Sequence, residues 1–215
     1  RGTKVTITYL RNAATKQAVI TRDAIPLVSV DASYMMTKEI GYIRLNKFSS
    51  VTYREFMEAL EPLKKAGLQK LILDLRGNGG GILDQAVEIA DEFLDGDKLI
   101  TYTEGKHVDK KEYRCRRNGQ FETGKLVVLA DEGSASASEI LIGALQDWDR
   151  ATIVGRRSFG KGLVQEQFDL SDKSALRLPI ARYYTPIGRS IQRPYNNREK
   201  AYYDEISNRY QDTAT

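Results

Sequence analysis

Three apolar segments, each followed directly by a cluster of glycine or serine residues, constrain the fold of this chain more than any other feature. The segments are 70–75, 125–130 and 151–154, and each has the length and apolar character of a buried strand. Helical patterns, with apolar residues every three or four positions, follow the first two clusters. Strands that alternate with helices predict an α/β core, a mainly parallel sheet covered by helices. Open sheets of this kind place their sites at the carboxyl ends of the strands.

The 215 residues divide into three parts. Apolar and polar residues alternate in 4–10 and 17–21, so segment 1–39 is predicted to be rich in β-strands. Segment 40–195 holds the alternating strands and helices of the core. Segment 196–215 is a tail whose apolar spacing fits an amphipathic helix.

The first core helix has a clear start signal. Thr52 and Glu55 have the spacing of a capping box, and apolar residues follow at helical intervals until Gly67. Pro62 is expected to kink this helix or to end it early.

Scarce residues exclude several classes of site. With Cys115 as the only cysteine and His107 as the only histidine, the chain cannot supply a zinc finger, a disulfide framework or a His-rich metal site. His107 lies in a polar segment, 105–111, that predicts a hairpin or a loop, which disfavours a Ser-His-Asp mechanism.

Charge and hydropathy exclude further classes. The net charge of +4 comes mainly from scattered Lys and Arg, which favours a solvated surface over a nucleic-acid interface. No stretch approaches the roughly 18 apolar residues of a membrane helix, and no signal peptide opens the sequence.

The first cluster, Asp74–Gly81, has the sequence DLRGNGGG. Its glycines permit positive φ and can expose successive backbone N–H groups beside a helix N-terminus, which suits an oxyanion. The dinucleotide fingerprint is excluded because Ile82 stands where its last glycine is needed. A plain crossover turn is the alternative.

The second cluster, 131–140, has small residues at the start of a helix. A serine here would have an exposed hydroxyl and a neighbouring amide, as a nucleophile requires. Ser136 with Glu139 also fits a capping box, so a purely structural role for Ser136 stays open.

The third cluster, 155–162, nearly matches the phosphate-binding loop GxxxxGK[ST]. The loop needs Ser or Thr after its lysine and then a helix, yet Gly162 follows Lys161 and segment 163–168 is predicted to be a strand. Nucleotide hydrolysis is therefore disfavoured. Small and apolar neighbours would disfavour the ammonium form of Lys161, and a neutral lysine is a base. Gln165 falls on the same side of a strand or helix and could orient the amine.

Four motifs together make the chain recognisable. They are DLRGNGGG at 74–81, GSASASEI at 133–140, FGKG at 159–162 with Gln165, and ARYYTP at 181–186 with GRSIQ at 188–192. In their order and spacing they resemble the carboxyl-terminal processing proteases, also called tail-specific proteases, and the resemblance runs from about residue 41 to 192. It implies a crotonase-like α/β catalytic core.

The resemblance also implies the site residues. It assigns the nucleophile to Ser136, the general base to Lys161 and the orienting amide to Gln165. Serine with lysine is a known variant of the triad chemistry. Asp147 occupies a position that is acidic in some members, and no role is assigned to it.

The oxyanion hole is likewise implied by the resemblance. It would consist of the N–H of Ala137 and one N–H from the glycine cluster, that of Gly80 or Gly81. The mechanism would need no metal and no cofactor.

Family members usually carry a PDZ domain before the core. Segment 1–10 resembles only the last strand of one, so we expect 1–39 to be the end of a truncated PDZ domain with linker strands. The resemblance implies unfolded or partly folded protein substrates, bound through their C-terminal tails, in the periplasm or cell envelope. It implies no nucleic-acid partner and leaves homo-oligomerisation open.

Two other functions stay open from the residues. One is a peptide-binding scaffold of the same fold without turnover. The other, least favoured, is a Mg²⁺-dependent nucleotide hydrolase that uses the loop 155–162.

Overall fold

The computed structural model describes residues 1–23, 28–194 and 204–205. The strands are β1 (Lys4–Arg11), β2 (Ala14–Thr21), β3 (Val30–Met35), β4 (Ile40–Leu45), β5 (Lys70–Asp74), β6 (Leu99–Gly105), β7 (Val108–Arg114), β8 (Lys125–Ala130), β9 (Thr152–Gly155), β10 (Leu163–Asp169) and β11 (Ala175–Tyr184). The helices are α1 (Thr52–Lys65), α2 (Leu83–Asp91) and α3 (Ala137–Asp147). Asp204 and Glu205 are helical, and the rest of the predicted tail helix lies outside the described residues.

A five-stranded sheet forms the centre of the core, in the order β3-β4-β5-β8-β9. The strands β4, β5, β8 and β9 are parallel, and β3 pairs antiparallel with β4. Ile43, Leu73 and Val128 lie side by side across β4, β5 and β8 and are fully buried. The predicted α/β core with a mainly parallel sheet is confirmed.

The strand β3 lies within the segment 1–39 that the sequence set apart from the core. Its pairing with β4 makes it the edge of the core sheet, which therefore extends to Val30. The strands β1 and β2 form a separate two-stranded hairpin.

The helix α1 shows where local patterns mislead. Its N-cap is Val51, so the predicted capping box is wrong. The Thr52 hydroxyl accepts the N–H of Ser49 at 2.7 Å, and Glu55 Oε2 accepts the N–H of Ser29 at 2.6 Å. The Thr52 hydroxyl also donates to the Ser29 hydroxyl at 2.7 Å, so both side chains tie the helix to the residue just before β3. Pro62 lies inside the helix, which continues to Lys65.

A second, antiparallel sheet has the order β10-β11-β6-β7. His107 lies, exposed, in the short turn between β6 and β7, as the polar segment predicted. Within the described ranges, no helix has the length and apolar character needed to cross a membrane.

An aromatic cluster joins the helices to the segment between β7 and β8. The ring of Phe93 meets those of Phe56 and Phe121 edge to face, at centroid distances of 5.8 Å and 6.3 Å. Arg150 binds the carbonyls of Phe93 and Phe121 at 2.8 Å and 2.7 Å. Stability of the core therefore depends on Phe93, which is fully buried.

We expect Phe93→Ala to lower the free energy of unfolding by about 3–5 kcal/mol, because it removes a large buried ring and leaves a cavity. Urea denaturation followed by circular dichroism measures this. Phe168→Ala is the control, since that ring is 42% exposed, and it should change stability by less than about 0.5 kcal/mol. Equal losses in both variants would contradict the assignment of the core.

Candidate active site

The segment after β5 forms the predicted glycine turn. Gly77, Gly80 and Gly81 have φ values of 70°, 88° and 147°, so the positive φ expected from the sequence is confirmed. Asn78, fully buried, stabilises the turn: its Oδ1 accepts the N–H of Gly80 at 2.9 Å and its Nδ2 donates to the carbonyl of Leu45 at 2.9 Å. Asn78 therefore fixes the turn to the end of β4.

The buried carboxylate of Asp74 holds the start of the turn. It accepts the N–H and the guanidinium of Arg76 at 2.7–3.1 Å and the hydroxyl of Tyr42 at 2.6 Å. Burial alone would raise the pKa of Asp74, but these hydrogen bonds outweigh it and hold the pKa below its ordinary value.

Ser136 is the N-cap of α3 and has an unusual backbone. Its φ of 56° and ψ of −115° lie outside the regions that residues with a Cβ prefer. Such strain costs about 1–3 kcal/mol and clusters at functional sites, as in the turn that presents the nucleophile of α/β-hydrolases. The neighbouring serines are fully buried: the Ser134 hydroxyl donates to the Leu75 carbonyl at 2.8 Å, and that of Ser138 to the Asn78 carbonyl at 2.9 Å.

The glycine turn packs directly against Ser136. A Cβ placed on Gly80 would lie 2.4 Å from the Ala135 carbonyl oxygen, 2.8 Å from the Ala137 nitrogen and 2.8 Å from the Ser136 Cβ. The Ala135 N–H donates to the Asn78 carbonyl at 2.9 Å. The structure therefore brings together Ser136, Ala137 and Gly80, while Gly81 follows in the same turn against Phe48.

The carboxylate of Glu139 connects the serine to the loop that follows β9. Its Oε2 accepts the N–H of Ser136 at 2.9 Å and that of Lys161 at 2.8 Å. Its Oε1 accepts the Ser158 hydroxyl at 2.7 Å and the Gly160 N–H at 2.6 Å. One buried carboxylate thus holds two loops from different strands.

These bonds disfavour phosphate binding by the loop 155–162. The amides of Gly160 and Lys161 donate to Glu139, and that of Gly162 donates to Gln192 Oε1 at 3.0 Å. A phosphate would have to displace a carboxylate. The next element is β10 and not a helix, as the sequence predicted.

The side chains of Lys161 and Gln165 are exposed, and neither forms a hydrogen bond or ion pair with a described residue. The prediction that apolar neighbours surround the Lys161 amine is therefore wrong for this arrangement. Phe159 lies against Arg193 instead. The backbone of Lys161 is held next to Ser136 through Glu139, whereas Gln165 pairs with Pro179 in β10 and β11.

Two positions acquire roles that sequence reasoning missed. The sequence indicates Glu139 only as a capping residue, through its spacing from Ser136. Asp147, given no role, binds the guanidinium of Arg189 and accepts the N–H of Ile187 at 3.2 Å. It fixes the segment after β11 to α3. The residues that the structure describes contain no group of three or more potential metal ligands.

If Ser136 is a nucleophile, Gly80→Ala should slow its acylation by a fluorophosphonate about 100-fold, because the new Cβ forces the turn away from the serine and a misplacement of about 1 Å costs that much. Mass spectrometry measures the rate.

Gly79→Ala is the matched control for Gly80→Ala. A Cβ on Gly79 meets no atom within 4 Å, so acylation should stay within about twofold of wild type. If Gly80→Ala reacts as fast as Gly79→Ala, the close approach has no effect on Ser136.

The lowered pKa of Asp74 predicts acid sensitivity. The stability from its ionised form is present above the ordinary value of 3.8 and is lost as pH falls through the lower pKa of the folded state. Asp74→Asn should therefore flatten the fall of the unfolding free energy below about pH 4, measured by urea denaturation at several pH values. Tyr42→Phe removes one of the hydrogen bonds to Asp74 and should flatten the acid fall of the unfolding free energy less than Asp74→Asn does. If the fall in Asp74→Asn is as steep as in wild type, Asp74 is not its source.

Comparison with known proteins places the chain in a family. The model of peptidase family S41 matches residues 39–196. A carboxy-terminal-processing protease of Bartonella bacilliformis is 41% identical over 197 residues, which are 89% of this chain and 45% of that protein. A carboxyl-terminal-processing protease of Synechocystis sp. is 41% identical over 86% of this chain and 44% of its own length.

A solved structure agrees with these relatives. The photosystem II D1 C-terminal processing protease superposes with a TM-score of 0.71 at 32% identity, over 89% of this chain and 53% of that one. The chain thus spans about half the length of the proteins that it matches. Since the family model covers most of the chain, including all four motifs, the chain belongs to peptidase family S41.

Proposed function

We propose that this chain is the catalytic core of a serine endopeptidase that cleaves proteins near their C-termini, with Ser136 as nucleophile and Lys161 as general base. The observation that carries the proposal is the Glu139 carboxylate, which accepts the backbone N–H groups of both residues. It fixes the spacing of two residues that lie far apart in sequence. The names of the relatives support the substrate class.

The chemistry follows acyl transfer. The neutral amine of Lys161 takes the proton of the Ser136 hydroxyl as its oxygen attacks the scissile carbonyl, which gives a tetrahedral oxyanion. Collapse of the oxyanion breaks the peptide bond, and the Lys161 ammonium formed in the first step gives the proton to the leaving nitrogen. Water then hydrolyses the acyl-enzyme by the same steps.

The oxyanion would be held by backbone amides. Ala137 is the first residue of α3, where N–H groups lack an acceptor within the helix. In the glycine turn the N–H of Gly80 already binds Asn78, so we favour the N–H of Gly81 as the second donor. Each such donor is worth about 10²–10³ in rate.

The exposed amine of Lys161 has a consequence for this mechanism. A bound polypeptide that covers Lys161 would exclude water from the amine and the serine as the reacting groups meet. Gln165, also exposed on β10, is placed to contact the amine or the substrate once the site is covered.

The family resemblance also supports a proposal about location. By the family resemblance we place the protein in the periplasm or cell envelope, with unfolded or partly folded proteins as substrates.

Ser136→Ala and Lys161→Ala should each abolish cleavage of an unfolded protein, by at least about 10³-fold in kcat, because each removes a group that takes part in bond making. The double variant should be little worse than either single one, since the two act as a unit. Cleavage followed by gel electrophoresis and mass spectrometry measures this.

Ser138→Ala and His107→Ala are the controls and should keep most of the activity. The Ser138 hydroxyl is bound to the carbonyl of Asn78, and His107 lies in the turn between β6 and β7. A fully active Lys161→Ala would contradict the mechanism. A peptide-binding scaffold would bind substrate without turnover and without acylation of Ser136. Thermal stabilisation by a nucleotide with Mg²⁺ would favour the hydrolase alternative.

A further inference from the structure

A segment after β11, residues 190–193, lies beside residues 160–162, which we call the lysine loop. The Ile191 N–H donates to the Tyr183 carbonyl of β11 at 3.3 Å. Just before the segment, Arg189 forms an ion pair with a carboxylate of α3. The segment is therefore attached to β11 and to α3 by bonds that do not involve the lysine loop.

The side chain of Gln192 connects this segment to the lysine loop. Gln192 is only 8% exposed, its Oε1 accepts the Gly162 N–H at 3.0 Å, and its Nε2 donates to the Arg193 carbonyl at 2.9 Å. A carboxamide has one accepting and one donating end. The reversed orientation would place its oxygen against the carbonyl and its NH₂ group against the N–H, so the two partners hold Gln192 in a single orientation.

The three amides of the lysine loop have two different acceptors. The N–H groups of Gly160 and Lys161 donate to Glu139 at 2.6 Å and 2.8 Å. The N–H of Gly162 donates instead to Gln192. Glu139 thus holds the loop before the Cα atom of Lys161, and Gln192 holds it after that atom.

The peptide planes on the two sides of Lys161 are held unequally. The plane before Lys161 has two bonds, since its N–H binds Glu139 and its carbonyl, that of Gly160, accepts the Arg193 N–H at 3.0 Å. The plane after Lys161 carries the N–H that binds Gln192. Within the described ranges, no hydrogen bond reaches the Lys161 carbonyl in that second plane. Its orientation therefore depends on Gln192.

Planarity of the peptide bond connects this plane to the lysine side chain. Because each peptide is planar, the backbone at Lys161 can turn only about φ and ψ. When the planes on both sides are held, φ and ψ are set, and so is the direction in which the side chain leaves the backbone. Without the bond to Gln192, ψ of Lys161 loses its restraint.

The bond to Gln192 lies where two backbones touch. A Cβ on Gly162 would lie 2.3 Å from the Gln192 nitrogen and 2.8 Å from the Ile191 carbonyl carbon. The hydrogen bond itself is buried. A buried donor that loses its acceptor is costly, so the Gly162 amide would turn away to find another partner.

We propose that Gln192 is a positioning residue for Lys161, which acts through the Gly162 amide to fix the peptide plane that follows the lysine. Its effect on catalysis rests on the Ser136/Lys161 mechanism proposed above. Its effect on the lysine loop does not, and the two are measured separately.

The loop is measured by amide hydrogen exchange, followed by NMR, in the full chain with Ser136→Ala, which prevents self-cleavage. Gln192→Met should speed exchange of the Gly162 amide at least about tenfold, because a thioether of similar length is only a weak acceptor. Exchange of the Gly160 and Lys161 amides should change less than about threefold, since both stay bound to Glu139.

Two further variants make the exchange experiment decisive. Gln192→Asn keeps the carboxamide but withdraws it by one methylene, so it should also speed exchange at Gly162 and tests the proposal if Gln192→Met does not fold. Gln146→Met is the matched control: this exposed glutamine accepts the Arg189 guanidinium at 3.0 Å and contacts no loop amide. Exchange at Gly162 should there stay within about twofold of wild type.

Catalysis is measured with Ser136 intact. Gln192→Met should lower kcat for an unfolded protein about tenfold while KM changes less than about threefold, because the base is misplaced and the bound substrate is not. Gln146→Met should keep kcat within about twofold. A general loss of stability would not separate kcat from KM in this way.

Three results would overturn the proposal. They are unchanged exchange of the Gly162 amide in Gln192→Met or Gln192→Asn, an equal increase at all three loop amides, or an equal effect of Gln146→Met. Failure of the proposed function is distinguishable, because a fully active Lys161→Ala would refute the dyad while the exchange result would still decide whether Gln192 holds the loop.

Discussion

The buried carboxylate of Glu139 is the interaction on which the rest of this site depends. It receives four donors from two separate loops, among them the amides of Ser136 and Lys161. Each of these donors would lose a hydrogen bond if its loop moved away from Glu139, and the loss costs free energy. Neither loop can therefore move away without losing hydrogen bonds to Glu139. This one side chain thus fixes the backbone of Ser136 relative to that of Lys161.

Close backbone approach is the second requirement. Gly80 lies against Ala135 and Ser136, and Gly162 lies against Ile191 and Gln192, at distances that leave no room for a Cβ. The parallel strands β5, β8 and β9 bring the loops to one edge of the sheet. The glycines then allow the loops to touch through their backbones. Main-chain contacts thus add to the hydrogen bonds of Glu139 in orienting the two loops.

Much of the fold and part of the site could be predicted, because hydrophobic periodicity and residue composition determine local structure. The central strands, the positive φ of Gly80 and the strand after Lys161 all follow from neighbours within a few residues. The contacts of Glu139 with residues 158–161 could not be predicted. Its spacing from Ser136 already gave it a role as a capping residue, and the periodicity of a sequence carries no information about contacts between residues about 20 positions apart. The capping box predicted for Thr52 and Glu55 is wrong for the same reason. Their side chains bind Ser49 and Ser29 and not the first turn of α1. The contact of Phe159 with Arg193, which lies far along the chain, is again a tertiary effect.

The backbone of Ser136 sets activity against stability. At a φ of 56° a residue with a Cβ is strained, whereas glycine would adopt this conformation freely. If Ser136 is the nucleophile, as proposed above, the most stable sequence at this position is therefore an inactive one. A search for thermostable variants that monitors folding alone would drift towards Ser136→Gly, and only a selection that scores turnover would keep the hydroxyl.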